Sequence, residues 1–362
     1  MSSETAVPRS SRSWKTGAAE PARAAGPLGW FGEIKKGASS QNATAKAAAE
    51  TPQTRYRDTF ASSGGPRSLS FAERKRDRVP ATILDGRALA ADLRTELVAR
   101  TRSLRERGIH PKLTVVFVGA NESSLAYVRN LERTGARVGI EVDVERLDED
   151  ATAAQIRLRL ERLHADHGVH GVMLQQPLPP HLSIREIADA IPAHKDVDGT
   201  HPTNQGHLAF GSGTEYVPAT PAAVMLLLER SPHWPLRGRS AVMIGRSIVV
   251  GAPVAMLMLA QDATVTILHK ESASLQPYVR MSEIVVVAAG APGLIRGSDI
   301  MPGATVIDVG TTLVDGALKG DVDFESAAQV AGAITPVPGG VGPVTNVALL
   351  RNVVKAAERA GR

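Results

Sequence analysis

From Ala81 onward the chain alternates short β-branched runs with stretches whose leucines recur at helical spacing, and this alternation restricts the fold more than any other feature. Leu89, Leu93, Leu97 and Leu104 share a helical face, and residues 113–118 form a β-branched run closed by Gly119. A helix over 124–139, a strand over 141–147, a helix over 152–163 and a strand over 171–175 continue the series. Strands that return parallel to one another need long crossovers, and helices of this length supply them. The expected fold class is therefore α/β with parallel sheets. The joint Val217-Pro218-Ala219-Thr220-Pro221 and a helix over 222–229 precede a second series of strands at 240–244, 263–268, 284–288 and 305–309. Two domains are expected, 81–221 and 222–345, with no internal repeat.

The first 80 residues have a different texture. They are rich in Ala, Ser, Gly and Pro, and hold 14 Lys/Arg against 7 Asp/Glu, so the basic character of the chain resides there. A disordered, solvated basic leader is expected, with no nucleic-acid motif beside it. No apolar run approaches the ~20 residues of a membrane span, so no membrane partner is expected. The leader lacks the apolar core of a secretory signal, and its acids, Glu4, Glu20, Glu33, Glu50 and Asp58 among them, are unlike a transit peptide. Cytoplasmic residence is the expectation, with organellar import as the alternative. The chain has no cysteine, which removes disulfides, thiolate metal ligands and a cysteine nucleophile. No metal site is expected, because His269 has no second ligand at suitable spacing.

The strand ending at Ile244 runs into Gly245-Arg246-Ser247, and Gly251 follows just before a helix. Glycines let the backbone approach a phosphate, and the helix N-terminus presents free N–H groups to it. An NAD-selective site would carry an acid about 20 residues on, at the end of the next strand. That place is taken by His269-Lys270, and the turn itself carries Arg246, so NADP is favoured through its 2′-phosphate.

Three segments of the first domain put polar groups where strands should end: Tyr127 with its helix, Gln175-Gln176-Pro177-Leu178-Pro179, and Lys195-Asp196-Val197-Asp198-Gly199. Together they resemble the bifunctional methylenetetrahydrofolate dehydrogenase/methenyltetrahydrofolate cyclohydrolase family. The resemblance runs from about Leu84 to the C-terminus, through 124–140, 171–179, 195–204, 244–253, 320–325 and 334–345. Its most specific stretch is Ile334-Thr335-Pro336-Val337-Pro338-Gly339-Gly340-Val341-Gly342-Pro343. The resemblance implies an N-terminal folate-binding catalytic domain and a C-terminal Rossmann-type NADP domain. It implies that Tyr127 stacks on the folate, Gln175 lies beside the reacting carbon, and Asp198 binds the pterin edge. Gly245, Arg246, Ser247 and Gly251 match the cofactor turn, with His269 and Lys270 beside it. Gly339, Gly340 and Thr345 match a loop and helix start closing over nicotinamide and folate. A last helix over 346–362 packing on the first domain and a homodimer through the cofactor domain are implied as well.

One departure bears on chemistry. Four residues after the tyrosine the family has a lysine that works with the glutamine on the methenyl carbon; here the position is Leu131. Leucine neither donates a hydrogen bond nor relays a proton. NADP-dependent oxidation of 5,10-methylenetetrahydrofolate is expected to survive better than hydrolysis to the 10-formyl product. Milder departures are Gln176, Ala219, Leu268 and Val344. Two alternatives stay open at this stage: a non-catalytic folate- and NADP-binding regulatory homologue, and an oxidoreductase of the same fold acting on another cyclic amine or iminium substrate.

Overall fold

The computed structural model describes residues 80–211 and 216–361. The expected leader, 1–80, lies outside the described residues except for Pro80. In chain order the regular elements begin with β1 (Thr82–Ile83), α1 (Gly86–Glu106), β2 (Lys112–Val118), α2 (Glu122–Val138), β3 (Glu141–Leu147), α3 (Ala153–Ala165) and β4 (Gly171–Leu174). They continue with α4 (Ile184–Ile187), α5 (Pro202–Phe210), α6 (Ala219–Leu228), β5 (Ser240–Ile244), α7 (Gly251–Leu259), β6 (Thr264–Leu268), α8 (Gln276–Arg280) and β7 (Ile284–Val287). The remainder are β8 (Thr305–Asp308), β9 (Thr312–Val314), β10 (Ala317–Lys319), α9 (Phe324–Ala327), β11 (Ala333–Ile334) and α10 (Val341–Ala360).

Local chemistry sets the helix ends. Asp85 caps α1 by accepting from the N–H groups of Arg87 (2.8 Å) and Ala88 (3.2 Å), and Asn121 caps α2 through the N–H of Ser124 (3.0 Å). Thr152 and Gln155 form a capping box at α3. Gly139 ends α2 at φ 80°, a left-handed conformation that glycine adopts without a Cβ penalty.

The strands β3-β2-β4 make a parallel three-stranded sheet whose crossovers are α2 and α3. Val116, Val118, Ile156, Leu160, Val172 and Leu174 are buried between that sheet and its covering helices. A second sheet has the order β1-β11-β8-β7-β5-β6, again parallel throughout. Near-continuous apolar runs such as Ile-Val-Val-Val in β7 are buried on both faces, as a parallel sheet requires. Between β5 and its neighbours β6 and β7 the strand order reverses, which opens a crevice at the carboxyl end of β5.

Two features differ from the expectation. Thr82–Ile83 sits inside the 81–221 span yet pairs with β11 of the larger sheet, a two-residue strand too short to leave a periodic signal. The last helix starts at Val341 rather than Asn346, because Pro343 falls in its first turn, where a missing N–H costs nothing. α10 packs on α1 and α6, tied by the bidentate Arg100–Glu358 pair (2.8 and 3.0 Å). No described helix is long and apolar enough to cross a membrane.

Candidate active site

β4 delivers Gln175 at its carboxyl end, and a parallel bridge from Val172 to Asp196 lays the 195–199 segment beside it. The first two polar residues of that segment are consumed by the fold. Lys195 Nζ donates to the carbonyls of Leu163 (2.9 Å), His164 (3.1 Å) and Asp166 (2.6 Å), closing the end of α3. Asp196 is fully buried and accepts from Thr200 N and Oγ1 (3.1 Å each), His201 N (2.8 Å) and Asn204 Nδ2 (2.8 Å). Asp198 is the acid left over. Burial, then the charge of Asp196, push its carboxyl up to about 7, against the pull of the Ala219 N–H.

Tyr127, half-buried on α2, stands near enough to Asp198 for the two to interact electrostatically. Burial and then the Asp198 charge push its phenol well above the usual tyrosine range. Ser124, one turn earlier on the same face, reaches the carbonyl of Gln176 (3.4 Å), so the first turn of α2 meets the end of β4. Gln175 is buried, its Nε2 donates to the carbonyl of Gln176, and no described group donates to its Oε1. Leu131 is fully buried one turn beyond Tyr127. Its neighbours do not replace a lysine: Asn130 and Arg133 are exposed, and Arg133 Nε turns back to the carbonyl of Arg129 (3.3 Å).

On the larger sheet, Gly245 leaves β5 at φ 120°, and a Cβ there would overlap the carbonyl of Ala288. A Cβ on Gly251 would in turn overlap the carbonyl of Gly245. The turn is closed so tightly on itself that only glycine fits at both places. Ser247 Oγ accepts from the N–H groups of Val250 (3.2 Å) and Gly251 (3.3 Å), fixing the start of α7. Arg246 is exposed, with no acidic partner among the described residues. At the end of β6 the N–H of His269 donates to Ser272 Oγ (3.0 Å) and its Nδ1 accepts from the N–H of Glu271 (3.3 Å). Glu271, passed over in the sequence reading, stands 3.7 Å from Lys270 and offsets part of its charge.

Two family models cover most of this described region. Residues 84–198 match the tetrahydrofolate dehydrogenase/cyclohydrolase catalytic domain, and residues 218–361 match the NAD(P)-binding domain of the same family. The bifunctional protein FolD of Bordetella petrii is 47% identical over 280 residues, 77% of this chain and 95% of that protein. The FolD of Moorella thermoacetica is 46% identical over 282 residues, 78% of this chain and 100% of that protein. The chain belongs to the tetrahydrofolate dehydrogenase/cyclohydrolase family. Among solved structures, the Trypanosoma brucei methylenetetrahydrofolate dehydrogenase-cyclohydrolase, complexed with NADP and an inhibitor, shares 38% identity at a TM-score of 0.75. It covers 78% of this chain and 99% of that one. The Campylobacter jejuni bifunctional enzyme gives the same TM-score at 39% identity, over 77% of this chain and 99% of that one. The two-domain, parallel-sheet α/β architecture is that of the family.

Within this family frame, the Pro/Gly loop reads differently from the sequence expectation in one respect. Gly339 (φ 117°) and Gly340 precede α10, and Gly86 packs so closely on the Gly340 carbonyl that a Cβ would overlap it. Thr345 is not at a helix start; it lies one turn inside α10, buried, with Oγ1 donating to the carbonyl of Val341 (3.2 Å). Two acids were not anticipated. Asp321, fully buried, accepts from the N–H groups of Ala289 (2.6 Å), Gly290 (2.9 Å) and Ala291 (2.7 Å), holding the loop after β7 on which the Gly245 turn rests. Asp308 accepts from the N–H groups of Gly310 (2.9 Å), Asp321 (3.0 Å) and Val322 (2.9 Å). Burial nonetheless pushes Asp308 up to about 6. Their one legible signal was the aspartate closing the β-branched run 305–308, followed a dozen residues later by Gly320-Asp321. Among the described residues no three His, Asp or Glu side chains gather as a metal site would need.

The turn makes a direct test of the NAD(P)-binding half. Gly251→Ala must displace the carbonyl of Gly245, and dinucleotide affinity measured by fluorescence titration is expected to fall at least ~10-fold, about 1.4 kcal/mol. Wild-type affinity in a folded Gly251→Ala protein would show that the phosphates lie elsewhere.

Proposed function

We propose that this protein is a methylenetetrahydrofolate dehydrogenase that uses NADP, with the second family activity, methenyltetrahydrofolate hydrolysis, curtailed by Leu131. The carrying observation is the meeting of Tyr127 and Asp198 beside Gln175 at the carboxyl edge of the three-stranded sheet. A carboxylate in the neighbourhood of an aromatic ring, when ionised, suits a flat heterocycle whose edge bears N–H donors, and a reduced pterin is such a group. In this reading residues 81–221, together with the helix ending the chain, form the substrate domain, and 222–345 form the cofactor domain.

NADP fits the groups present. The Gly245–Gly251 turn is closed more tightly than any Cβ would allow, which keeps side chains off the backbone that would meet the phosphates, and Arg246, exposed with no acidic partner among the described residues, supplies a cation for a 2′-phosphate. When bound, NADP would supply the hydride acceptor for the bridging methylene carbon. The chain contributes position: Asp198 anchors the pterin edge, Tyr127 covers its face, and Gln175 lies beside the reacting carbon. Oxidation therefore needs no proton relay. Hydrolysis of the methenyl product does, since water must be deprotonated as it attacks and a ring nitrogen protonated as it leaves. The leucine side chain cannot take part in either transfer. Lys195 is committed to three carbonyls, so it does not substitute.

The protein is further read as a cytoplasmic homodimer joined through the cofactor domain. β6 supports the dimer: it is the outermost strand of its sheet, and Thr264, Val265, Thr266 and Ile267 bear no charge to discourage pairing.

Three measurements test these statements. Paired assays are expected to show NADPH formation from methylenetetrahydrofolate, a cyclohydrolase rate at least ~100-fold below it, and a rise in hydrolysis alone in Leu131→Lys. A wild-type cyclohydrolase rate equal to the dehydrogenase rate, indifferent to Leu131→Lys, sinks the role given to Leu131. Because Asp198 must be ionised to accept the pterin N–H donors, kcat/KM for the folate should fall as pH drops below about 7 and level off above it. Asp198→Asn should abolish that acid limb and lower kcat/KM by roughly 10- to 100-fold. Light scattering should give twice the 38.2 kDa chain mass, with Thr266→Lys shifting the protein toward monomer; a wild-type monomer ends the dimer reading.

A further inference from the structure

Asn352 lies on α10, far along the chain from the site, and is fully buried. Its Nδ2 donates both hydrogens to backbone carbonyls, of Val197 (2.8 Å) and of Val217 (2.9 Å), 155 and 135 residues away in sequence. Both neighbours are carbonyl oxygens, so the amide can face them only with its nitrogen. Neither carbonyl belongs to a helix or strand, and no other described donor reaches either one.

The two carbonyls bracket Asp198. Val197 immediately precedes it, and Val217 lies two residues before Ala219, whose N–H is near enough to the Asp198 carboxylate to draw its titration down. One amide thus grips both the segment that carries the acid and the segment that carries that N–H. The segments are already in contact, since a Cβ on Gly199 would come within 2.9 Å of the Pro218 ring. Tyr216 adds a second tie between them through its hydroxyl, 2.8 Å from the carbonyl of His194. These contacts fix separation, whereas the Asn352 amide fixes register along the two segments, which decides where the carboxylate points.

We infer that Asn352 is a positioning residue for substrate binding, holding Asp198 at the angle that receives the pterin edge. This rests on the folate reading of the site. Asn352 touches neither substrate nor cofactor, and acts only through the backbone on either side of Asp198.

The test compares Asn352→Leu, which removes both hydrogen bonds at similar volume, Asn352→Ser, which keeps a single donor, and Val353→Ala. Val353 is buried on the same turn and packs against Gly171, so its truncation is a control for destabilised α10. Steady-state dehydrogenase kinetics of the full chain are expected to show the folate KM raised roughly 10- to 30-fold in Asn352→Leu, with kcat and the NADP KM within about threefold of wild type. Asn352→Ser should fall between, and Val353→Ala should lower Tm while leaving the folate KM in place. Loss of the Ala219 contact should also move the acid limb of kcat/KM to higher pH in both Asn352 variants. The inference is overturned by an unchanged folate KM in Asn352→Leu, by an NADP KM rising in step, or by Val353→Ala reproducing the effect. If Asn352→Leu does not fold, the serine variant decides through the same KM and the position of the acid limb. Wild-type turnover with methylenetetrahydrofolate reports separately on the folate reading, so failure of one is distinct from failure of the other.

Discussion

Burial of the final helix is the constraint that the rest of the molecule accommodates. α10 is apolar along most of its length, with Val344, Val347, Leu349, Leu350, Val353 and Val354 all inside. Truncating one such leucine costs about 2–5 kcal/mol, so the helix must find a complementary surface before the domain is stable. That surface is made by α1 and α6, elements on opposite sides of the substrate segment in sequence. A helix buried this far carries its polar residues inward too. Thr345 satisfies itself on its own backbone, while Asn352 must find partners elsewhere, and it finds them at 197 and 217. Burial of α10 therefore also fixes which carbonyls Asn352 meets.

Acidic residues divide into two kinds for a related reason. Asp196, Asp308 and Asp321 each accept three or four hydrogen bonds from the chain, so they hold loops at the carboxyl edges of the sheets and have little capacity left for ligands. Asp198 accepts no such set of hydrogen bonds among the described residues; the Ala219 N–H only draws its carboxyl down, and it lies close enough to Asp196 to feel its charge. A half-buried carboxylate so poorly satisfied is costly in the free protein. A ligand bearing several N–H donors would offset that cost, which is the physical support for the under-satisfied acid, rather than the most buried one, as the proposed ligand-binding acid.

Much of this was legible beforehand, and the physical reasons are uneven. Parallel strands such as β5, β7 and β8 announce themselves because burial on both faces demands near-continuous apolar runs. The Gly245–Gly251 turn was legible because backbone crowding admits only one residue type at each end. β1 and β11 were not, since two residues carry no periodicity, and the hairpin β9–β10 was hidden by its exposure, although Asp315-Gly316 is a strong two-residue turn. The start of α10 was misplaced because Pro343 reads as a breaker unless the first turn is recognised as such. Asp308, Asp321 and Asn352 escaped for a different reason. Their partners are backbone groups distant in sequence, and backbone groups leave no trace in residue identity.

Leu131 shows how stability and chemistry separate in this fold. A lysine at a fully buried position must either find acceptors for its ammonium or lose its charge, and both options cost free energy. Gln175 Oε1 is a buried acceptor with no donor among the described groups. A single neutral acceptor compensates an ammonium poorly, whereas leucine fills the volume and removes the desolvation cost outright. A leucine here is therefore favourable for folding, while it offers no group that could donate a hydrogen bond or relay a proton.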